Sequence, residues 1–239
     1  MAPLTLTLRH RESIADRTMA FHFAKPAHFH FTAGQSIDLT LIDPPETDAE
    51  GSSRTFTIAS APQDDAIVIA TRMRDTAFKR VLASAPMGTK VQAEGPDGTF
   101  TLHQDAGVPA VFLTGGIGIT PFRSMIRDAV ARKLLLPLWL FYSNNRPEDA
   151  AFLDELLQLD DTIASLHVIP TMTDMTQSRR PWHGEISLIN HDMLRRRLSM
   201  SGPIYYLAGP QAMVKAMREM LTSARVAERD IRTEEFSGY

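Results

Sequence analysis

The chain contains no cysteine among its 239 residues. This absence excludes disulfides, thiolate zinc sites, iron–sulfur clusters held by cysteine, and catalysis by a thiol. The sequence also has no apolar run that approaches the ~18 residues needed to span a bilayer, and residues 1–13 lack the apolar stretch of a signal peptide. We therefore expect a cytoplasmic protein without a membrane segment.

An excess of basic side chains is missing as well. Lysine and arginine together number 25 against 28 aspartate and glutamate residues, which gives a formal net charge of −3. Because nucleic-acid-binding domains usually carry a basic face, we expect no nucleic-acid partner. His28 and His30 lie two residues apart on one predicted strand, but no third ligand is in view, so we expect no metal.

The first 104 residues are rich in short β-prone runs that turn-forming residues separate. Such closely spaced strands predict an antiparallel β-barrel or sandwich. One helix is predicted over residues 75–85, and residues 103–109 are typical of a linker. The predicted strands cover residues 4–8, 21–23, 29–31, 36–42, 54–60, 66–73 and, with a glycine turn, 88–100.

From residue 105 onward, apolar strands alternate with helical patterns. This alternation predicts a doubly wound parallel sheet, in which ligands bind beyond the carboxyl ends of the strands. The predicted strands cover residues 110–113, 136–143, 165–170, 203–209 and 231–236. The predicted helices cover residues 121–132, 147–159, 187–198 and 210–224.

A glycine-rich loop, TGGIGITP at residues 114–121, lies between the first of these strands and the helix after it. Pro121 suits the first helical position, and the free amides of a helix N-terminus form an anion site. The loop therefore predicts a phosphate-binding turn, with a tight turn that needs glycine only for its backbone as the alternative. It does not match the Gly-x-Gly-x-x-Gly dinucleotide fingerprint, because Pro121 stands where the third glycine belongs.

Three separated motifs together resemble those of the ferredoxin–NADP reductase superfamily. RTFTIAS (54–60) resembles its Arg-x-Tyr-Ser/Thr motif, TGGIGITP its pyridine-nucleotide loop, and AGP (208–210) its Cys-Gly-Pro turn. GPDGTF (95–100) and the ending EEF (234–236) add to the match, which spans nearly the whole chain. The resemblance implies an FAD-binding β-barrel domain at residues 1–104 and an NAD(P)-binding α/β domain at residues 105–239, without an iron–sulfur domain.

The resemblance also implies which residues hold the flavin. Arg54 would bind the pyrophosphate through its guanidinium fork. Phe56 would stack on the isoalloxazine ring in place of the family's tyrosine, and the Thr57 hydroxyl would approach flavin N5. For each of these three residues an ordinary strand or core role is the alternative. Further cofactor-binding residues implied are Thr55, Thr71 and Arg72, together with the helix start Thr76, Ala77, Phe78 and Lys79, which lacks the family's glycine–serine pattern.

The same resemblance implies a nucleotide site in the second half. Ala208 replaces the family's cysteine and removes a thiol from this site. Glu234 and Phe236 match a terminal Glu-x-aromatic ending, in which Phe236 would cover the flavin. Because three residues follow Phe236, Tyr239 could do this stacking instead. The residues implied to border the nucleotide are Thr114, Gly115, Gly116, Gly118, Thr120, Pro121, Thr171, Gly209 and Pro210.

The resemblance implies an NAD(P)H-dependent, FAD-containing reductase with Thr57, Glu234 and Phe236 in catalytic positions. It would take hydride from NAD(P)H onto FAD and pass electrons to a one-electron carrier such as ferredoxin or flavodoxin. A reductase of free flavin or ferric chelates, and a flavin or nucleotide sensor without turnover, are the alternatives. We expect a monomer.

The resemblance implies that cofactor preference depends on the end of the strand predicted over residues 165–170, where NADP-dependent relatives tend to place Ser-Arg. Thr171 keeps a hydroxyl there, but Met172 supplies no charge and Asp174 would repel a 2′-phosphate. Arg179 and Arg180 could offset this only if their loop folds back over the site. The sequence therefore favours NADH over NADPH.

Overall fold

Two six-stranded sheets organise the chain. The structure is a computed structural model, and it describes residues 4–198, 200 and 202–236. The first sheet contains β1 (Leu4–Ala15), β2 (Thr18–Ala24), β3 (Ser36–Leu41), β4 (Ser53–Thr57), β5 (Ala66–Arg72) and β6 (Lys90–Asp97). The second contains β7 (Ala110–Gly115), β8 (Leu138–Asn144), β9 (Leu166–Met172), β10 (Glu185–Ile186), β11 (Ile204–Pro210) and β12 (Ile231–Phe236).

The first sheet is antiparallel throughout, in the order β4-β3-β6-β1-β2-β5. Inward-facing apolar side chains alternate with outward polar ones, as in β3, where Ile37, Leu39 and Leu41 are buried. Just after β4, the Ala59 amide donates to the Val68 carbonyl of β5 at 2.7 Å, so the two edges of the sheet meet. The predicted antiparallel β architecture of the first half is confirmed.

Two details of this half differ from the sequence prediction. Residues 29–31 are a loop rather than a strand, although Phe29 is buried, because turns at residues 27–28 and 33–34 interrupt the chain on both sides. β1 runs to Ala15, far past the predicted residue 8. Its second part pairs with β2 as a ribbon whose β1 side chains are largely exposed, so it shows no apolar alternation.

The second sheet is parallel throughout, in the order β10-β9-β8-β7-β11-β12. Its helices are α2 (Ile119–Ala131), α3 (Leu153–Thr162), α4 (His191–Arg197) and α5 (Gln211–Ser223), and α1 (Ala77–Ser84) belongs to the first half. Apolar clusters cover both faces of the sheet, which explains why all of β7 is buried. The predicted doubly wound sheet is confirmed, and its strand order reverses between β7 and β11.

Two predicted helices start later than the sequence suggested. Residues 147–149 form a short 3-10 turn, and α3 begins at Leu153, because Phe152 takes a left-handed φ of 60° that interrupts the helix. α4 begins at His191 rather than residue 187, with the Asn190 side chain accepting from the Met193 amide at 2.9 Å. β10 lies just before residue 187, the predicted start of this helix, and its two residues are too short a strand to show a pattern.

Helix α2 joins the two halves. Arg123 donates to the Ala59 carbonyl at 2.7 Å, and the Ser124 hydroxyl donates to the Ser60 carbonyl at 2.6 Å. Arg127 forms an ion pair with Asp64 at 2.9 Å. These contacts fix the start of α2, and the glycine loop before it, against the chain that follows β4. The domain boundary at residue 104 stays a prediction.

The described helices include none that is both long and apolar enough to cross a membrane. Among the same residues, no group of three or more histidine, aspartate or glutamate side chains could hold a metal ion.

Candidate functional site

A cavity of about 530 Å³ lies between the two sheets. Its volume falls within the ~300–1,000 Å³ typical of small-molecule sites. Both halves of the chain contribute side chains to it. The lining residues are Ser36, Glu50, Arg54, Thr55, Phe56, Thr57, Ala70, Thr71, Arg72, Arg74, Thr76, Lys79, Ile117, Thr120, Glu234, Glu235 and Phe236.

β4 supplies one wall of the cavity. Along this strand Arg54 and Phe56 are half-buried and Thr57 is buried, while the Thr55 hydroxyl donates to the Asp38 carboxylate of β3. The Phe56 ring packs on Phe78 of α1 with the ring centroids 5.8 Å apart. β4 therefore presents a guanidinium, an aromatic ring and a hydroxyl in sequence along the cavity.

Cationic side chains gather at the α1 side of the cavity. Arg54, Arg72, Arg74 and Lys79 all line it. Burial, together with the positive charges of Arg74 and Arg54, lowers the pKa of the Lys79 ammonium. Lys79 is held in place by donating to the Arg72 carbonyl at 2.7 Å. The surplus of positive charge favours an anionic group at this end.

The start of α1 adds backbone amides to the cations. Thr76 is the N-cap, and its hydroxyl oxygen accepts from the Lys79 amide at 3.4 Å. The amide of Ala77 donates to the Asp48 carboxylate at 2.7 Å. Phe78 is buried, and the Cζ atom of the Arg54 guanidinium lies over its ring, 5.3 Å from the ring centroid. Thr76 and Lys79 line the cavity, whereas the side chains of Ala77 and Phe78 are buried and do not.

The glycine loop contains two glycines that are required for different reasons. Gly116 has a left-handed φ of 55°, and a Cβ atom added there would meet nothing within 4 Å. A Cβ on Gly118 would lie 2.5 Å from the Ala208 carbonyl oxygen, because the loop packs directly against β11. Gly118 is thus needed for packing within the chain, and Gly116 borders open space that a ligand can enter.

The hydroxyls of the loop are engaged inside the protein. Thr114, fully buried, donates to the Ala208 carbonyl at 2.8 Å, and Thr120 donates to the Ile117 carbonyl at 3.1 Å. The sequence predicted Pro121 at the first position of the helix, but Pro121 is the third residue of α2. It still lies within the first turn, where a missing N–H costs no helical bond.

The AGP turn ends β11 beside this loop. Ala208 is buried and pairs in register with Thr114 of β7 on one side and Glu234 of β12 on the other. Gly209 and Pro210 follow at the carboxyl edge of the sheet, next to the point where the strand order reverses. This is the position at which doubly wound sheets bind their ligands.

Glu234 is the titratable group with the most distinctive environment. It lines the cavity from β12, and its Oε2 atom is buried with no hydrogen-bond partner among the described residues. Burial raises the pKa of the Glu234 carboxyl to about 7. Near neutral pH this side chain can therefore hold or release a proton. Phe236, two residues on, lines the same cavity.

At the end of β9, predicted to lie near the adenosine ribose, the Thr171 hydroxyl and the two nearby arginines are bound by other groups of the chain. The hydroxyl of Thr171 donates to the Ser187 carbonyl at 2.5 Å and is buried. Arg179 forms an ion pair with Asp16 at 3.0 Å, and Arg180 forms one with Asp154 at 3.0 Å. Tyr239, the alternative stacking residue, lies outside the described residues.

The cavity brings together most of the flavin-site residues expected from sequence and adds several that were missed. Eleven predicted residues line it: Arg54, Thr55, Phe56, Thr57, Thr71, Arg72, Thr76, Lys79, Thr120, Glu234 and Phe236. The missed residues are Ser36, Glu50, Ala70, Arg74, Ile117 and Glu235. Arg74 could have been found from its closeness to Arg72, and Ile117 as an apolar residue inside a glycine loop. Nothing local marks the other four, and the roles of all these residues stay predictions.

Comparison with known proteins agrees with this layout. Residues 112–219 match the family described as "Oxidoreductase NAD-binding domain". The chain is 28% identical over 209 residues to ferredoxin–NADP reductase B of Sorangium cellulosum, covering 85% of this chain and 84% of that protein. It is 26% identical to the reductase component of propane 2-monooxygenase of Mycolicibacterium smegmatis, covering 80% of this chain but only 55% of that protein.

A solved structure has the same fold. The ferredoxin NADP⁺ reductase of Neisseria gonorrhoeae, with bound FAD and NADP, superposes with a TM-score of 0.80 at 19% identity, over 98% of this chain and 99% of that one.

Proposed function

We propose that the chain is a member of the ferredoxin–NADP reductase superfamily and that it is an NAD(P)H-dependent FAD reductase. We further propose that it passes electrons to a redox carrier protein such as ferredoxin or flavodoxin. One observation carries the proposal. A single cavity joins the aromatic and hydroxyl residues of β4 and the cations around α1 to Glu234 and Phe236 at the carboxyl edge of the parallel sheet.

The cavity residues fit a flavin dinucleotide. Its pyrophosphate needs cations and amide donors, which Arg54, Lys79 and the start of α1 supply. Its flat ring system needs an apolar face, which Phe56 offers beside Thr57. FAD, when bound, accepts two electrons from NAD(P)H and releases them to acceptors that take one or two.

The protein's own contribution is binding, orientation and proton placement. Arg54 and the α1 cations fix the phosphate end. Thr57, buried at the cavity wall, presents a hydroxyl that can donate toward the ring of the cofactor. Glu234 can keep a proton at its carboxyl near neutral pH, in a site from which Phe236 helps to exclude water.

NAD(P)H would approach over the glycine loop and the AGP turn. We assign the pyrophosphate to the open side of Gly116, and the nicotinamide end to the space beside Gly118, Gly209 and Pro210. The reversal of strand order between β7 and β11 supports this placement, because it opens the crevice in which such ligands bind.

NADH is the preferred donor in this proposal. The Asp174 carboxylate accepts from the Thr176 amide and hydroxyl, which lowers the pKa of Asp174 and keeps a negative charge at the end of β9. Arg179 and Arg180, the cations that could bind a 2′-phosphate, are already paired with Asp16 and Asp154. The negative charge of Asp174, with both of these arginines paired, opposes the 2′-phosphate of NADPH.

Steady-state rates with a small artificial acceptor test this preference. We expect kcat/KM for NADH to exceed that for NADPH by about tenfold or more, because a missing charge-assisted phosphate contact is worth ~1.5–3 kcal/mol. Asp174→Ser should narrow the gap, whereas Asp161→Asn, an exposed change on α3, should leave it unchanged. If the wild type instead prefers NADPH and Arg180→Ala abolishes that preference, the loop that carries Arg180 binds the 2′-phosphate.

The electron acceptor is tested separately. The purified protein should release FAD on denaturation and should reduce ferredoxin or flavodoxin in the presence of NADH. Release of FMN in place of FAD would change the identity of the flavin and leave the rest of the proposal intact. Saturable turnover with free flavin or a ferric chelate, and none with either carrier protein, would replace the proposed acceptor.

A further inference from the structure

The loop between β3 and β4 places two carboxylates on the groups that we assign to the flavin phosphates. We call residues 43–52 the acidic loop. Glu50 accepts from the Arg54 guanidinium at 2.7 Å, and Asp48 accepts from the Ala77 amide at the start of α1, also at 2.7 Å. Asp48 lies a further 3.7 Å from Arg54. The acidic loop therefore binds both Arg54, the main cation of the phosphate end, and the amide of Ala77, the first residue of α1.

The backbone of the same loop engages the rest of the Arg54 side chain. One terminal nitrogen of Arg54 donates to the carbonyls of Glu50 at 2.7 Å and Gly51 at 3.2 Å, while the other binds the Glu50 carboxylate. A guanidinium and a helix N-terminus that converge on one point form a site for an anion. In this structure the anions at that point are the carboxylates of Asp48 and Glu50.

We propose that the acidic loop is an internal counter-anion that competes with the flavin phosphates for Arg54 and the start of α1, and so sets the affinity for FAD. The inference rests on the proposed function, because it takes the ligand of these groups to be a flavin phosphate. Two carboxylates and a pyrophosphate cannot share one guanidinium and one amide without strong repulsion. The loop must therefore withdraw when the phosphate binds.

The loop is built in a way that permits withdrawal. Its side chains are largely exposed, it contains no helix or strand, and few buried apolar contacts hold it in place. The loop is also bound through Glu46, which pairs with Arg80 of α1 at 2.6 Å. The hydrogen bond from Ala77 lowers the pKa of Asp48, so this carboxylate stays charged and competes at neutral pH.

The competition can be measured on flavin-free protein with two ligands, FAD and riboflavin, of which only FAD carries phosphate. Asp48→Asn and Glu50→Gln keep the shapes of the side chains and remove their charges. We expect the double variant to bind FAD about tenfold or more tightly, the scale of one charge-assisted contact, with riboflavin affinity unchanged. Glu46→Gln, the matched control, removes a loop charge that does not touch Arg54 or Ala77, and should change FAD affinity by no more than about twofold.

Every other result contradicts either this inference or the proposed function. FAD affinity that stays the same or falls in the double variant overturns the inference, and so does an equal gain for riboflavin. If neither wild type nor variants bind any flavin, the proposed function itself is wrong. Circular dichroism checks folding, and should the Asp48 change unfold α1, Glu50→Gln alone decides, because Glu50 has no hydrogen bond or ion pair to α1 among the described residues.

Discussion

Glu234 shows how much of this site depends on the environment of one residue. Its position two residues before Phe236 could be predicted from the ending of the chain. Its burial could not, because the cavity that Glu234 lines forms only when residues of both halves come together. The raised pKa of about 7 is a property of that packing and not of the strand.

The Glu234 carboxyl should make stability depend on pH. Its folded-state pKa of about 7 lies above the ordinary glutamate value of 4.5, so between these values the folded state binds the extra proton and stability falls as pH rises. Glu234→Gln removes this dependence, and its free energy of unfolding should exceed that of wild type by up to ~3 kcal/mol above about pH 7. Urea denaturation from about pH 5 to about pH 8 measures the difference.

The control is Glu235→Gln, an exposed neighbour on the same strand. Its denaturation midpoints should follow those of wild type across the range, since an exposed charge contributes little. A Glu234→Gln protein that also follows wild type at every pH would show that Glu234 is not the buried titrating group.

At the scale of elements, the glycine loop has two requirements that the sequence could not separate. TGGIGITP predicted a strand, a turn and a helix, and these are present. It did not reveal that Gly118 is fixed by the Ala208 carbonyl of β11, a strand about ninety residues away in sequence, while Gly116 faces open space. Gly118→Val is therefore a poor test of nucleotide binding, because it would disturb packing first.

Gly116→Asn is the sharper variant. Asparagine tolerates the left-handed φ of 55°, and its side chain would project into the space we assign to the dinucleotide. We expect the dissociation constant for NADH to rise about tenfold or more, with the melting temperature nearly unchanged. Gly202→Asn is the matched control, with a φ of 66°, equally open surroundings and a location at the opposite end of β11. Unaltered NADH binding by Gly116→Asn would mean that the loop is only a turn.

Other elements show which parts of the fold the local sequence pattern can predict and which it cannot. Buried strands such as β7 are continuous apolar runs and could be predicted. The second part of β1 is a ribbon with exposed side chains, and β10 has only two residues, so neither leaves a signal. The start of α3 was misplaced because the left-handed Phe152 interrupts an otherwise helical sequence.

At the scale of the whole molecule, the site exists because α2 holds the two halves together. Arg123 is buried and joins Glu155 of α3 to the Ala59 carbonyl beyond β4. The family resemblance predicted both halves and eleven cavity residues, yet none of these contacts between the halves. They depend on which side chains meet across the interface, and no local pattern encodes that.

Removing the Arg123 guanidinium should weaken this junction. We expect Arg123→Met to lower the free energy of unfolding by about 1–3 kcal/mol, because Glu155 and the Ala59 carbonyl lose a shared donor, although Glu155 is partly exposed. Arg132→Met removes an exposed guanidinium from Asp128, which is buried but still accepts from the Gln63 side-chain amide at 2.6 Å, and should cost less than about 1 kcal/mol. Urea midpoints compare the two. Equal effects would contradict a special role for Arg123.

The central claim is that the cavity between the sheets holds a flavin that NAD(P)H reduces. Anaerobic titration of the purified, FAD-loaded protein with NADH tests it most directly, with the yellow flavin absorbance as the signal. We expect this absorbance to bleach with about one NADH per flavin. A flavin that dithionite reduces, but that stays oxidised with both NADH and NADPH, would contradict the account.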